Sequence, residues 1–402
     1  MLRKNRLFTP GPTPLLPAAQ TAMAASGIHH RTADFKALFS KTLADLKTFI
    51  GTKNDVVLLA SSGTGAMEAS VTNLTSPGDK VLVLTAGKFG ERWRDLTKTW
   101  GCNVDVLSAP YGETFIPEAV REKVASGDVR AVFMQATESS TGARHSVEMV
   151  AREIAESRSA EHTLLIVDAI TGLGTTYFDV DGWGIDVIIG GSQKAVMVPP
   201  GLAYLAVSER AWNRMEQPHS PSYYFDLRKE RKSQLKGETA FTPAISLVAG
   251  LAAALEYIRA SGQGDLAAGR DALIANAETC AAMTRAAASA LGLTIFPASA
   301  PGAALTAIMP PEGMDSGLLV KEFRERFDAV VANGQGEMKG KMVRIAHLGY
   351  YDYLDTIGVI GALEQVLARV APHHKVEFGA GVKAAQQVYA RAISASEKAV
   401  AM

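Results

Sequence analysis

The chain has 402 residues, 47% hydrophobic and 20% charged, and its Lys+Arg 41 and Asp+Glu 41 cancel to a formal net charge of +0. That balance offers no global field to nucleic acid or an anionic membrane, and the composition is that of an ordinary soluble globular protein. Its length suggests two domains, while two cysteines, Cys102 and Cys280, cannot build a disulfide framework or a metal site.

The N-terminal residues contain no apolar run long enough for a signal peptide, and no stretch approaches membrane-spanning length. The C-terminal Lys-Ala-Val-Ala-Met is not a peroxisomal tripeptide. The expectation is a cytoplasmic protein in a reducing compartment, with neither a membrane nor a nucleic-acid partner.

In chain order, Val56 to Ala60 reads as a buried strand, followed by a Gly-rich turn and a helix from about Ala66 to Leu74. Further strands are predicted at Val81 to Leu84, Val104 to Leu107, Ala131 to Gln135, Leu164 to Val167, Val187 to Ile189 and Leu202 to Val207. These runs are rich in Val, Ile and Leu without alternation, as expected when helices such as Val147 to Ser157 cover both faces of a sheet. The expected class is therefore α/β, with a mostly parallel sheet that binds ligands at the carboxyl ends of its strands.

Ala-rich helices follow at Leu247 to Ala260 and Asp271 to Ala290. A smaller α+β unit is then predicted, with strands at Leu293 to Pro297, Ala304 to Met309 and Met342 to Ile345 and a helix at Ser316 to Phe327. The expected division is an arm (1–17), a large domain (18–262), a small domain (263–380) and a helical tail (381–402) that the chemistry does not need.

Lys194, in Gly-Gly-Ser-Gln-Lys-Ala (190–195), and Asp168, after Leu-Leu-Ile-Val, form the central pair. A lysine amine condenses with an aldehyde to a Schiff base, and pyridoxal phosphate is the aldehyde cofactor most often used so. That cofactor needs a carboxylate beside its ring nitrogen, a charge Asp168 can supply. Taken alone, the two read better as a strand-terminal acid and a surface lysine; the rest of the chain overturns that.

Ser61-Ser62-Gly63-Thr64-Gly65 follows a strand and opens a helix, so its free amides and the hydroxyls of Ser62 and Thr64 suit a phosphate. Ordinary turns and caps use the same residues. Phe89, in Gly-Lys-Phe-Gly, stands where a ring could stack on a cofactor or simply fill the core. Thr137 to Gly142 brings hydroxyls to a strand end. Arg344, inside the apolar run Met-Val-Arg-Ile-Ala, suits a carboxylate, an intramolecular salt bridge being the alternative.

As a set, Ser-Gly-Thr-Gly-Ala-Met-Glu-Ala, Glu-Ser-Ser-Thr-Gly, Val-Asp-Ala, Gly-Ser-Gln-Lys-Ala with Pro-Pro-Gly, and Val-Arg-Ile resemble the class V aminotransferases. These are fold-type I pyridoxal phosphate enzymes, and the alanine–glyoxylate and serine–pyruvate branch is the nearest likeness. It runs from Pro10-Gly11-Pro12-Thr13 to His347-Leu348-Gly349. The resemblance implies a large domain with a seven-stranded, mostly parallel sheet and a smaller α+β C-terminal domain.

It further implies Lys194 as the covalent anchor and catalytic base, and Asp168 as partner of the pyridine nitrogen. Ser62, Gly63, Thr64 and Gln193 would hold the phosphate, Ser139 the ring hydroxyl, and Arg344 the substrate carboxylate near Gly11. Phe89 stands where the branch often has Trp. Thr239 or Thr242 would complete a neighbouring subunit's phosphate site, which implies a homodimer with shared active sites.

Small substrates are expected, alanine or serine as donor and glyoxylate or pyruvate as acceptor, exchanged by a ping-pong mechanism. The loop 332–340 has no cysteine, which sets cysteine desulfurase aside. Aspartate transamination is the alternative, with His30, Arg31 or another copy's cation for the second carboxylate. A non-catalytic subunit of a hydrogenase-like redox complex is the other, and it predicts loss of a catalytic set that is filled here. His29-His30-Arg31 is equally a polar helix entry or a substrate contact.

Overall fold

The computed structural model describes residues 3–25, 27–157, 160–216, 222–297 and 299–400. The chain begins with β1 (Arg6–Phe8), α1 (Pro17–Ala25) and α2 (Ala33–Ile50). An alternating stretch follows: β2 (Asp55–Leu59), α3 (Gly63–Leu74), β3 (Lys80–Thr85), α4 (Lys88–Trp100), β4 (Asn103–Ser108), α5 (Pro117–Val124) and β5 (Ala131–Gln135). Next come the hairpin β6 (Thr137–Glu138) and β7 (Ala143–Arg144), then α6 (Val147–Ala155), β8 (Leu164–Asp168), β9 (Val187–Gly191) and β10 (Ala203–Val207). Helices α7 (Glu209–Met215), α8 (Leu227–Gln234), α9 (Ile245–Ser261) and α10 (Leu266–Ala290) lead to β11 (Ile295–Phe296), β12 (Leu305–Ile308), α11 (Ser316–Phe327), β13 (Ala329–Asn333) and β14 (Val343–Ala346). Two helices, α12 (Tyr353–Val370) and α13 (Ala380–Val400), close the chain.

Seven strands form the main sheet in the order β2-β10-β9-β8-β5-β3-β4, and β10 alone runs antiparallel to its neighbours. This is the mostly parallel sheet that the unbroken apolar runs predict. Helices cover both faces, which is why β5, β8, β9 and β10 are buried at every residue.

Register decides which way the strand ends point. Met134 pairs with Val167 and both join one core cluster; Phe133 pairs with Ile166 and both join the other. Strand alternation therefore puts Asp168, two residues past Ile166, on the second face, where Met67 of α3 and Trp93 of α4 pack. The N-terminal ends of α3 and α4 thus border Asp168.

A second sheet, in the order β1-β13-β14-β12-β11, packs on α10, α11 and α12 around Phe323, Ile345 and Leu363. Its β1 comes from the N-terminal arm and pairs in parallel with β13. The C-terminal α13 packs against α10 and α12 through Met283, Ile360 and Ala385. Several elements differ in extent from their predicted bounds; the helix predicted from Asp271 begins at Leu266, where the Asp265 side chain caps it. The helix predicted from Ala66 begins at Gly63, because Ser62 takes the extended N-cap conformation and Gly-Thr-Gly continues as the first turn. The strand predicted over Leu293 to Pro297 pairs only at Ile295 and Phe296, since β12 opposite it is itself short.

Candidate active site

Lys194 follows β9 in a loop that Ser192 closes. The Ser192 hydroxyl donates to Pro199 O at 2.6 Å, while Leu202 N donates to that hydroxyl at 3.2 Å. The arm clamps the same loop: Thr13 N donates to Gln193 O at 3.2 Å and Thr13 Oγ1 to Lys194 O at 3.0 Å. The amine itself donates to Pro10 O. Gly11 lies alongside with φ +153°, and a Cβ there would stand 2.5 Å from Lys194 Nζ.

Asp168 ends β8, with Oδ1 accepting from Ile170 N at 2.9 Å. Both members of the pair are buried, Asp168 at 5% exposure and Lys194 at 9%, so the surface-lysine alternative is excluded. Burial pushes the carboxyl up to about 6, against the pull of the Ile170 amide, Lys194 and Arg92. Burial likewise pushes the amine down to about 8; Asp168 opposes that, and Arg344 and Arg92 add to it. A buried amine that loses its proton near pH 8 is available as a nucleophile and base.

At the start of α3 the Ser62 side chain is exposed and caps no amide. Gly63 is tightly packed; a Cβ there would stand 2.3 Å from Ile170 Cδ1. Thr64 Oγ1 accepts from Arg92 Nη1 at 3.1 Å. Gln193 Oε1 is a buried acceptor with no hydrogen-bond partner among the described residues. Ser62, Gly63 and Thr64 therefore share one helix entry, and Gly63 touches Ile170, two residues after Asp168.

Phe89, in the first turn of α4, is only partly buried and belongs to no core cluster; the Arg92 guanidinium lies 4.7 Å from its ring centroid. The turn is anchored by Glu138, a fully buried carboxylate that the sequence reading gave no role. Its Oε2 accepts from Phe89 N at 3.0 Å and Gly90 N at 3.1 Å, and its Oε1 from Ser140 N at 3.1 Å and from the Ser140 hydroxyl. Ser139, 3% exposed, is thereby held at the tip of the β6–β7 hairpin.

Arg344, 5% exposed in β14, reaches toward that tip. Its Nε and Nη2 donate to Asn333 O at 3.0 and 2.7 Å, and its Nη1 to Ser139 O at 2.6 Å. These partners are carbonyls, so the expected alternative of an intramolecular salt bridge does not describe it. Burial lowers the guanidinium to about 10, with Glu138 opposing through space. Three of its five N–H groups are used, which leaves donors for an anion.

Among the described residues, Thr239 and Thr242 make no hydrogen bond to Ser62, Gly63 or Thr64 of their own chain. Both line a small pocket with Leu58, Leu59 and Phe241, and the Thr239 hydroxyl donates to Phe241 O. His29 and Arg31 are exposed, the His29 and His30 rings lie 4.4 Å apart, and Arg31 N donates to His29 Nδ1 at 3.3 Å. Sequence reasoning missed Thr13, Arg92 and Glu138. Arg92 had a readable signal, its position three residues past Phe89 on one helix face.

Residues 18–285 match the family model described as aminotransferase class-V. The chain belongs to this family. Among its relatives, the soluble hydrogenase 42 kDa subunit of Anabaena cylindrica is 36% identical, aligned over 96% of this chain and 99% of the relative. The L-aspartate–glyoxylate aminotransferase of Paracoccus denitrificans is 32% identical over 100% of both chains. The serine–glyoxylate aminotransferase of Methylorubrum extorquens is 31% identical over 95% of both. A solved aspartate aminotransferase of subgroup IV from Thermus thermophilus superposes with a TM-score of 0.83 at 35% identity, over 91% of this chain and 100% of that one.

This class-V aminotransferase is thus an enzyme of fold-type I, dependent on pyridoxal phosphate. The residues present fit that cofactor: a buried amine beside a buried carboxylate, a helix entry with an uncommitted hydroxyl, and the unpartnered Gln193 Oε1.

Proposed function

We propose that the enzyme moves an amino group from alanine or serine to glyoxylate or pyruvate in two half-reactions of a ping-pong cycle. Arg344 carries this reading. Its free N–H groups form one planar fork, which suits one carboxylate. The neighbouring cations are engaged elsewhere, Lys88 with Glu91 and Arg92 with Thr64, so a donor with a single carboxylate is the better match.

In this reading Asp168 would pair with the pyridine nitrogen, Ser62, Gly63, Thr64 and Gln193 would hold the phosphate, Ser139 the ring hydroxyl, and Phe89 one face of the ring. When bound, pyridoxal 5′-phosphate supplies a conjugated ring that accepts the electron pair left as the substrate Cα loses its proton. Lys194 takes that proton as general base and holds it on Nζ for return, a task suited to an amine lowered to about 8. Arg344 fixes the carboxylate and so orients the bond to the Cα hydrogen. Gly11, having no Cβ, lets the arm run against the amine without displacing it.

We extend the proposal to a homodimer in which Thr239 or Thr242 of one copy completes the phosphate site of the other. Among the described residues no hydrogen bond ties either threonine to Ser62, Gly63 or Thr64 of its own chain, which is compatible with that. A cytoplasmic setting fits the two free cysteines, whose thiols burial pushes up. We also place a large domain at 18–262 and a small one at 263–380, preceded by an arm at 1–17 and followed by a tail at 381–402.

Aspartate with glyoxylate is a second reading, favoured by the names of the 35% and 32% identical relatives. It needs another cation, from Arg31, His30 or a second copy's lysine or arginine.

The test is the absorbance of the protein reconstituted with pyridoxal phosphate, recorded before and after alanine, serine and aspartate are added separately. Bleaching of the visible band by alanine or serine, and its return with glyoxylate or pyruvate, is expected. Bleaching by aspartate alone transfers the assignment to the second reading, and bleaching by none of the three rejects both.

A further inference from the structure

We propose that Arg92 is a positioning residue of the cofactor site, joining its phosphate end to its ring face and tuning the Lys194–Asp168 pair. This rests on the assignment of Ser62–Thr64 and Phe89 made above. Phe89 and Arg92 are three residues apart on α4 and so neighbours on one helix face. The guanidinium lies 4.7 Å from the Phe89 ring centroid, and its Nη1 donates to Thr64 Oγ1 at 3.1 Å. One planar group thus links the first turns of two helices, and those turns hold the residues assigned to the phosphate and the ring.

A neutral side chain tying α3 to α4 would be electrostatically indifferent to the reacting groups. Arg92 is not: its charge favours the ionised form of Asp168 and disfavours the protonated form of Lys194. The charged groups acting on Lys194 are Asp168, Arg344 and Arg92, and those acting on Asp168 are Lys194 and Arg92. Arg344 also answers to Glu138, whereas Arg92 meets a hydroxyl and an aromatic face. Arginine suits both tasks, since a planar cation can stack on a ring while its edge donates.

The experiment compares full-length wild type, Arg92→Gln and Arg92→Lys, with Lys194→Ala as control. Cofactor retention is measured by equilibrium dialysis, and the visible band of the bound cofactor is titrated with pH. Arg92→Gln should weaken retention by about tenfold, the loss expected for one hydrogen bond plus one cation–π contact. It should also move the titration midpoint upward by about half a unit, because removing a nearby positive charge eases protonation. Arg92→Lys should return the midpoint toward wild type, since the charge is kept, without restoring retention.

Wild-type retention and midpoint in Arg92→Gln would overturn the proposal, even with a lowered Tm, and would leave Arg92 as a structural tie. If Arg92→Gln does not fold, Arg92→Lys decides by retention alone: weakened supports the proposal and unchanged overturns it. A wild type that takes up no cofactor, or a Lys194→Ala protein that keeps the visible band, would instead defeat the underlying assignment of the site.

Discussion

Asp168 and Lys194 are driven toward each other's titration range by the same burial, the carboxyl up to about 6 and the amine down to about 8, while their mutual attraction opposes both shifts. In the cofactor-free protein each charge is a cost, which is the expected signature of groups kept for chemistry.

That cost has a pH window. The folded chain releases the Lys194 proton near pH 8 and the unfolded chain near 10.5, so between those values the unfolded state binds more protons and stability rises with pH. A Lys194→Met variant, neutral throughout, should be more stable than wild type below pH 8 by about 3 kcal/mol, an advantage that fades toward pH 10.5. Melting temperatures of both cofactor-free proteins across pH 7 to 10.5 read this directly. A constant offset would mean that packing, and not charge, separates them. Asp168 acts in the other window: its folded carboxyl keeps its proton longer, so its contribution falls as pH rises from about 4 to about 6.

Arg344→Gln should lower kcat/KM for the amino donor by roughly 100-fold or more, since charge-assisted hydrogen bonds contribute about 1.5–3 kcal/mol each. Arg344→Lys should recover part of that loss, as charge returns but the fork does not. The KM for the donor is the discriminating quantity. Unchanged donor KM in Arg344→Gln would place the carboxylate elsewhere.

The Glu138 carboxylate accepts from the amides of Phe89, Gly90 and Ser140 and from the Ser140 hydroxyl. Glu138→Gln keeps the shape but turns one acceptor into a donor facing donors. It should cost about 2–3 kcal/mol and loosen both Phe89 and Ser139. Thermal melting together with cofactor retention checks this; a variant unchanged in both would show that the turn of α4 holds without the anion.

Gly11→Ala tests the arm. With φ +153° and only 2.5 Å between a new Cβ and Lys194 Nζ, the substitution should cost about 1–3 kcal/mol and displace the amine. Activity should fall further than stability alone explains. Equal Tm and kcat in variant and wild type would show that the arm yields at no cost.

The parallel sheet was legible because its strands are short apolar runs without alternation, buried on both faces by intervening helices. Lys194, Asp168 and the Ser62–Thr64 entry were legible for the same reason, since each follows such a run at a strand's carboxyl end. The arm's contribution was not: β1 is three residues long, and only its pairing with β13, far along the chain, makes it a strand.

What the sequence by itself determined was the inventory of the proposed site, an amine, a carboxylate, a helix entry and an arginine in an apolar strand. Only the tertiary structure decided how these groups are charged and held. Desolvation moves Lys194 and Asp168, and the carbonyls of Asn333 and Ser139 aim Arg344. Glu138 and Arg92 take their roles from contacts spanning 49 and 28 positions. Burial and field are properties of the whole fold, set by groups distant in the chain, and local spacing carries no record of them.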